Sequence, residues 1–233
     1  MLGHVRSIAT LQVSLGWLLL SGLLVLKVAG AVAAVDSVTG NAGALQDEAQ
    51  ALWSGCRICH STVEMQRGPM LEGLPSWYVL AQLEKFRKGV RGKDPDNKSE
   101  WLMGSAIQQF SQTNAWSNLA QWISRQPPTP GPRVIRGDRA KGRQLYAACA
   151  SCHGALGEGQ AQLGGPPLNV QEDWYLREQM VKFKQGARGH HQADLGGIIM
   201  REAAQGLEKS DIDDLVAFLG HLRPKAQIQS ENH

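Results

Sequence analysis

The chain has little of what holds many exported proteins together. Only four cysteines occur in 233 residues, too few for a disulfide framework, so their grouping matters more than their number. No alternating run of β-branched residues is long enough to build a sheet. Neither sign of charge dominates: the formal net charge is +3, too small an excess for a phosphate-binding surface, and this excludes nucleic acid as a partner. Charged residues at 19% and hydrophobic residues at 42% exclude both a disordered polyelectrolyte and a polytopic membrane protein.

One apolar run is present, and it lies at the amino terminus. Arg6 gives a basic start, Leu11 to Leu26 is mostly apolar, and small residues follow from Ala29 to Ala34. This order reads as a signal peptide over residues 1–34, with cleavage after Ala33 or Ala34 by the small-x-small rule. The apolar stretch is 16 residues long, short of the roughly 20 that a spanning helix needs. If retained, the segment would serve as a membrane anchor. In both cases the remaining chain is exported, and a periplasmic location is expected.

The mature chain repeats itself. Cys56-Arg-Ile-Cys59-His60 recurs as Cys149-Ala-Ser-Cys152-His153, at an offset of 93. Downstream the offset becomes 97 and stays there, through Gly68-Pro69 and Gly165-Pro166, Trp77-Tyr78 and Trp174-Tyr175, Lys85-Phe86 and Lys182-Phe183, Arg91-Gly92 and Arg188-Gly189, and Met103 and Met200. The second copy therefore carries four extra residues between Gly154 and Gly165. A fixed register across so many unlike residues marks a tandem duplication of a domain-sized unit. Between the copies, Gln126-Pro-Pro-Thr-Pro-Gly-Pro132 cannot continue a helix and reads as a stiff, extended linker. The expected organisation is a first domain over 36–126, a linker over 127–132, a second domain over 133–225 and a polar tail over 226–233.

Each copy has a helical pattern, and the expected fold class is all-α. In the second copy Asp138 is a candidate N-cap for a helix through Leu145 and Tyr146 into Cys149. Asp173 is a candidate cap for a helix from Trp174 to Gln185, with Leu176, Met180 and Phe183 on one face and Gly186 as the stop. Ser210 to Asp213 resembles a capping box ahead of a face formed by Ile212, Leu215, Val216 and Leu219. The first copy repeats this with Ser76 to Gly89 and with a last helix carrying Leu119 and Trp122.

Two thiols at i and i+3 followed at once by a histidine suit three chemistries in part. A thioredoxin-like pair requires a βαβ unit, which the helical pattern lacks. A zinc ribbon would pool the four cysteines, but the two pairs lie in separate copies, and zinc does not require an adjacent histidine. Covalent haem attachment uses every element: both thiols form thioethers to the porphyrin edge and the histidine ligates iron. Cys56, Cys59, Cys149 and Cys152 are the expected attachment points for two haem c groups, with His60 and His153 as axial ligands. Met103 and Met200 keep register with each other and are the candidates for the opposite axial positions. Met65 and Met70 have no methionine counterpart, and Met180 falls on an apolar helix face, so these read as core filler. A haem also supplies apolar surface that a 90-residue unit can scarcely provide for itself, as that size is near the lower limit for a sufficient core.

With these residues in place the chain resembles class I cytochromes c, specifically the tandem di-haem cytochrome c4 type and related periplasmic carriers. The similarity covers both copies, from about Ala44 to Arg125 and from Gly137 to Arg223. Gly142 and Tyr146 are similar to the family's small/aromatic contact between first and last helices; copy one offers Ala49 and Trp53 there. The resemblance implies that the carbonyls of Pro69 and Pro166 accept the Nδ1 proton of the ligating histidines. It also places Trp77, Tyr78, Trp174 and Tyr175 in the haem pockets, where packing is their first role and a bond to a propionate a second. The shorter loop after His60 leaves the first haem more exposed or brings another element over it.

No open iron position remains in this reading, so the expected activity is outer-sphere, single-electron transfer, and the chain is a carrier rather than an enzyme. Its implied partners are redox proteins such as a quinol-oxidising complex and a terminal oxidase or reductase, with peripheral or anchored membrane association if the leader is retained. Two rivals share most of these features: an electron-accepting haem subunit of a periplasmic dehydrogenase or oxidase, and a di-haem peroxidase with one iron lacking a stable sixth ligand. The run Lys85, Arg87, Lys88, Arg91 and Lys93, echoed by Lys182, Lys184 and Arg188, is a candidate docking face or a solvated helix surface. His190, His191 and His221 have no counterparts in copy one and are expected at the surface.

Overall fold

The computed structural model describes residues 43–61, 67–110, 115–128 and 131–222. The leader, Met65, the middle of the linker and the carboxy-terminal tail lie outside the described residues. The described residues from Glu48 onward, which hold both Cys-x-x-Cys-His motifs, belong to one compact unit.

Among the described residues the structure is helical, and its β-structure is limited to an isolated bridge between Gln160 and Gly165. The first repeat has α1 over 43–60, α2 Ser76–Arg87, α3 Lys98–Gln108 and α4 Trp116–Arg125. The second has α5 Arg139–Tyr146, α6 Ala150–His153, α7 Asp173–Gln185, α8 Leu195–Gln205 and α9 Lys209–Leu222, with a short 3₁₀ turn at Ala161–Leu163. The all-α expectation holds. None of the described helices is long and apolar enough to cross a membrane.

The helix ends follow local chemistry where nothing competes for it. Asp138 caps α5, its carboxylate accepting from the backbone of Ala140 and Lys141, two donors that the first turn leaves unpaired. α5 stops at Tyr146 and does not run into Cys149; a turn separates it from α6. Gly186 ends α7 in the left-handed region at φ 75°, where a side chain would be strained. Two expected caps are corrected. Glu172, not Asp173, precedes α7, because the Asp173 carboxylate is engaged with the backbone N–H groups of Val134 and Ile135 at 2.6 and 2.8 Å. The box before α9 lies earlier than Ser210: Asp211 accepts from the Glu208 backbone at 2.9 Å, and the helix starts at Lys209.

Each repeat has its own apolar centre. Trp53, Leu83, Phe86, Trp116 and Ile123 are buried in the first, and Tyr146, Ile212, Val216 and Phe218 in the second. The amino-terminal helix of each repeat meets the last one. In the first repeat the rings of Trp53 and Trp122 meet at a tilt, 5.8 Å between centroids, and in the second those of Tyr146 and Phe218 at 5.5 Å. Gly142 allows the closer crossing of the two, since a Cβ there would overlap the Asp214 backbone. The Tyr146 hydroxyl donates to the Gly154 carbonyl at 2.6 Å, which ties this crossing to the end of the Cys-x-x-Cys-His helix.

Candidate haem sites

The first motif opens onto an apolar cavity of about 190 Å³. Cys56, Cys59, His60 and Met103 share its wall, together with Leu74, Val79, Leu83, Phe86 and Ile107. Apart from Leu74, the three helices α1, α2 and α3 supply these groups, so Cys56 and Met103, 47 positions apart in sequence, face one volume. His60 is 8% exposed and its Nδ1 lies 2.7 Å from the Pro69 carbonyl. That contact fixes the tautomer with Nδ1 protonated and Nε2 free to ligate a metal. Burial lowers the affinity of His60 for a second proton, against the opposing influence of the Pro69 bond and the Glu172 charge. The neutral ring is the form that binds iron. Burial also pushes the Cys56 thiol up to about 11, with Cys59 adding to the effect.

The second motif repeats the histidine contact and the burial of a thiol. His153 is 6% exposed, with Nδ1 2.9 Å from the Pro166 carbonyl, and burial again favours its neutral form. Cys149 packs against the second apolar centre, and burial pushes its thiol up. Met200 is half-buried on α8, whereas Met180 packs against the second centre. Met70 is 2% exposed inside the fold, and its backbone rather than its sulfur makes the described bonds.

The aromatic pairs have a less simple distribution than the repeat implies. Trp77 and Tyr78 meet edge-to-face at 5.7 Å, and Trp174 and Tyr175 at 5.8 Å. Tyr78 lines the first cavity, and so do Trp174, Tyr175, Glu178 and Gln179 from α7 of the second repeat. The second repeat, through α7, therefore supplies part of the wall of the first cavity.

The basic run is corrected in part. Arg91 and Arg188 are 6% and 7% exposed and belong to no solvated face. Each guanidinium lies over the phenylalanine five residues before it, Phe86 at 4.6 Å and Phe183 at 4.5 Å. Lys85 reaches the second repeat, its Nζ 2.6 Å from the Asp194 carboxylate, and Lys182 donates to Ser99 in the first at 2.6 Å. Much of the positive charge is thus spent between the repeats. Arg87, Lys88 and Lys93 remain exposed, as do His190, His191 and His221.

The two buried arginines differ in one respect that sequence alone did not reveal. Arg91 is held by Glu100 through Nη2 at 2.6 Å and Nε at 3.2 Å, with Gln82 on Nη1. Arg188 has Gln179 on Nη1 at 2.6 Å, but the position equivalent to Glu100 is Gly197. The Nε of Arg188 is buried without a hydrogen-bond partner. Such an atom is costly unless an acceptor is supplied. A haem propionate has the charge and the oxygen atoms to do so. In the first cavity the thiols, the neutral buried imidazole, the Met103 sulfur and the apolar walls together fit a porphyrin.

Comparisons with known proteins agree. Residues 139–223 match the cytochrome c family. Cytochrome c-554(547) of Halothiobacillus neapolitanus is 37% identical over 92 residues, which cover 37% of this chain and 99% of that protein. The chain belongs to the cytochrome c family. Cytochrome c4 of Azotobacter vinelandii is 27% identical over 197 residues, covering 78% of this chain and 92% of the relative. The solved structure of cytochrome c4 from Acidithiobacillus ferrooxidans has the same fold, with a TM-score of 0.59 at 23% identity over 71% of this chain and 97% of that one. Within its family this chain is of the di-haem cytochrome c4 type and carries two covalently bound haem c groups.

Proposed function

We propose that the chain is a periplasmic di-haem carrier of single electrons, in which each Cys-x-x-Cys-His segment and one methionine hold one haem. Cys56 and Cys59 form the thioethers of the first site and Cys149 and Cys152 those of the second. His60 with Met103 would hold the iron of the first haem, and His153 with Met200 that of the second. Haem bound in this way supplies a one-electron Fe(III)/Fe(II) couple, and methionine opposite histidine raises its potential. The protein's part is to hold both axial ligands in place, so that neither iron keeps an open position for substrate. The Pro69 and Pro166 carbonyls orient the imidazoles, and the apolar walls exclude water and reduce the reorganisation that accompanies a change of charge. Export of the chain and partners of the quinol-oxidising and oxidase or reductase classes belong to the same proposal.

The observation that carries this reading is the convergence of Cys56, Cys59, His60 and Met103 on one apolar cavity. Visible spectroscopy of the oxidised protein tests it. Two low-spin haems with the far-red methionine–Fe(III) band are expected, the band falling by about half in Met103→Leu or Met200→Leu and vanishing in the double variant. A native high-spin haem with peroxide turnover would instead identify a peroxidase.

A further inference from the structure

The peptide group joining Pro69 to Met70 is hydrogen-bonded at both ends. Its carbonyl lies 2.7 Å from His60 Nδ1. Its N–H donates to Glu172 Oε2 at 2.9 Å. The next carbonyl, that of Met70, accepts from Gln171 Nε2 at 3.3 Å. Glu172 and Met70 are 1% and 2% exposed, so this chain of bonds runs through a region closed to water. Glu172 and Gln171 belong to the second repeat and immediately precede α7, whereas His60 belongs to the first.

The second repeat cannot build the same device. His153 Nδ1 lies 2.9 Å from the Pro166 carbonyl, but the residue that follows is Pro167, whose nitrogen has no hydrogen to donate. The first-repeat counterpart of Glu172 is Pro75, which has no carboxylate. The two histidines therefore share one near contact and differ in what lies behind it.

We propose that Glu172 is a positioning residue for the first haem: through the Pro69–Met70 peptide it strengthens the hydrogen bond to His60 and lowers that haem's reduction potential, leaving the second haem's untouched. A carboxylate accepting from the amide N–H draws the amide dipole towards its charge-separated form, because hydrogen bonds in series polarise one another at low dielectric. The Pro69 oxygen becomes more negative and a better acceptor. The His60 ring gains anionic character and basicity, as outer-sphere acceptors confer on ligating imidazoles. A more basic ligand favours Fe(III) over Fe(II). The carboxylate charge, little screened at this burial, acts in the same direction. The second repeat thus sets the electron affinity of the first.

This inference rests on His60 being an iron ligand. A spectroelectrochemical titration of the full holoprotein tests it, with the first haem's wave identified by its loss or displacement in Met103→Leu. In Glu172→Gln the reduction equilibrium of the first haem is expected to move towards Fe(II) by about tenfold, or about 59 mV for one electron, with the second unchanged. Met70→Pro, which copies the Pro-Pro sequence of the second repeat, removes the N–H and leaves Glu172 in place. It is expected to shift the same haem in the same direction by less, because the carboxylate charge remains, and the two changes together to do no more than Glu172→Gln alone. In the reduced protein the His60 Nδ1–H proton resonance should move upfield in both variants, a change that loosened packing alone would not give. Should Glu172→Gln fail to assemble, Met70→Pro gives the same readings. Unchanged potentials in a low-spin di-haem variant, or equal shifts of both haems, would overturn the proposal. Failure of the ligand assignment has a different signature, namely a His60→Ala variant that keeps the wild-type spectrum of its first haem.

Discussion

Arg91 and Glu100 show at the level of single residues how a buried charge is made tolerable. Burial by itself disfavours both ions. The proximity of Arg91 and its hydrogen bonds outweigh this and hold the Glu100 carboxyl below its usual range, while Glu100 raises the already high affinity of Arg91 for its proton. Removing one member leaves the other charged in a site without water. Glu100→Ala is expected to cost about 3–5 kcal/mol, as measured for broken buried pairs. The sign of its pH dependence follows from linkage: a carboxyl whose affinity for protons is depressed by folding stabilises the fold above its ordinary titration range. That contribution fades as pH falls through the lower, folded value. Urea unfolding of the wild type and of Glu100→Ala should therefore differ most at neutral pH and converge at strongly acid pH; a constant gap would contradict the pairing. The cysteines, histidines and methionines proposed for the sites stand out in the sequence because a repeat pairs them. Glu100, Glu172 and Asp194 do not, since their counterparts are Gly197, Pro75 and Asn97. These unpaired positions are where the repeats engage each other or replace a missing acceptor, so departures from register carried a signal of their own.

At the level of elements, local rules succeed where tertiary structure makes no competing demand. Asp138 caps α5 as its sequence position suggests. Asp173 sits at a similar position but binds the chain entering the second repeat, because the backbone N–H groups of Val134 and Ile135 require an acceptor. A capping rule reads only neighbours in sequence and could not foresee that demand. The contact between α5 and α9 was anticipated from the likeness of Gly142 and Tyr146 to the family's contact between first and last helices. It leads to a sharp contrast between glycines. Gly142→Ala forces a methyl group into the Asp214 backbone and should cost about 1–3 kcal/mol, the usual range for overpacking. Gly206→Ala, at the end of α8 with nothing within 4 Å and a negative φ of −78°, should be neutral or stabilise by up to about 1 kcal/mol through the unfolded chain. Chemical denaturation of both variants measures the difference, and equal effects would argue against the close crossing.

At the level of the whole molecule, the duplication explains the architecture, and departures from it mark contacts between the repeats. Two similar units with two similar potentials would have no internal preference for where an electron resides. Glu172, Asp194 and the Lys182–Ser99 bond join the repeats through groups that only one of them possesses. The basic run illustrates what sequence could not tell: lysines and arginines that look like a docking face are partly turned inward, since each is judged in sequence without the partner surface that takes it up. The account as a whole depends on two haems attached through sulfur to one chain. The intact mass of the purified exported protein, taken after acid–acetone extraction, tests this most directly. The account predicts a polypeptide heavier by two haems that resist extraction; a mass carrying one haem, or none, would contradict it.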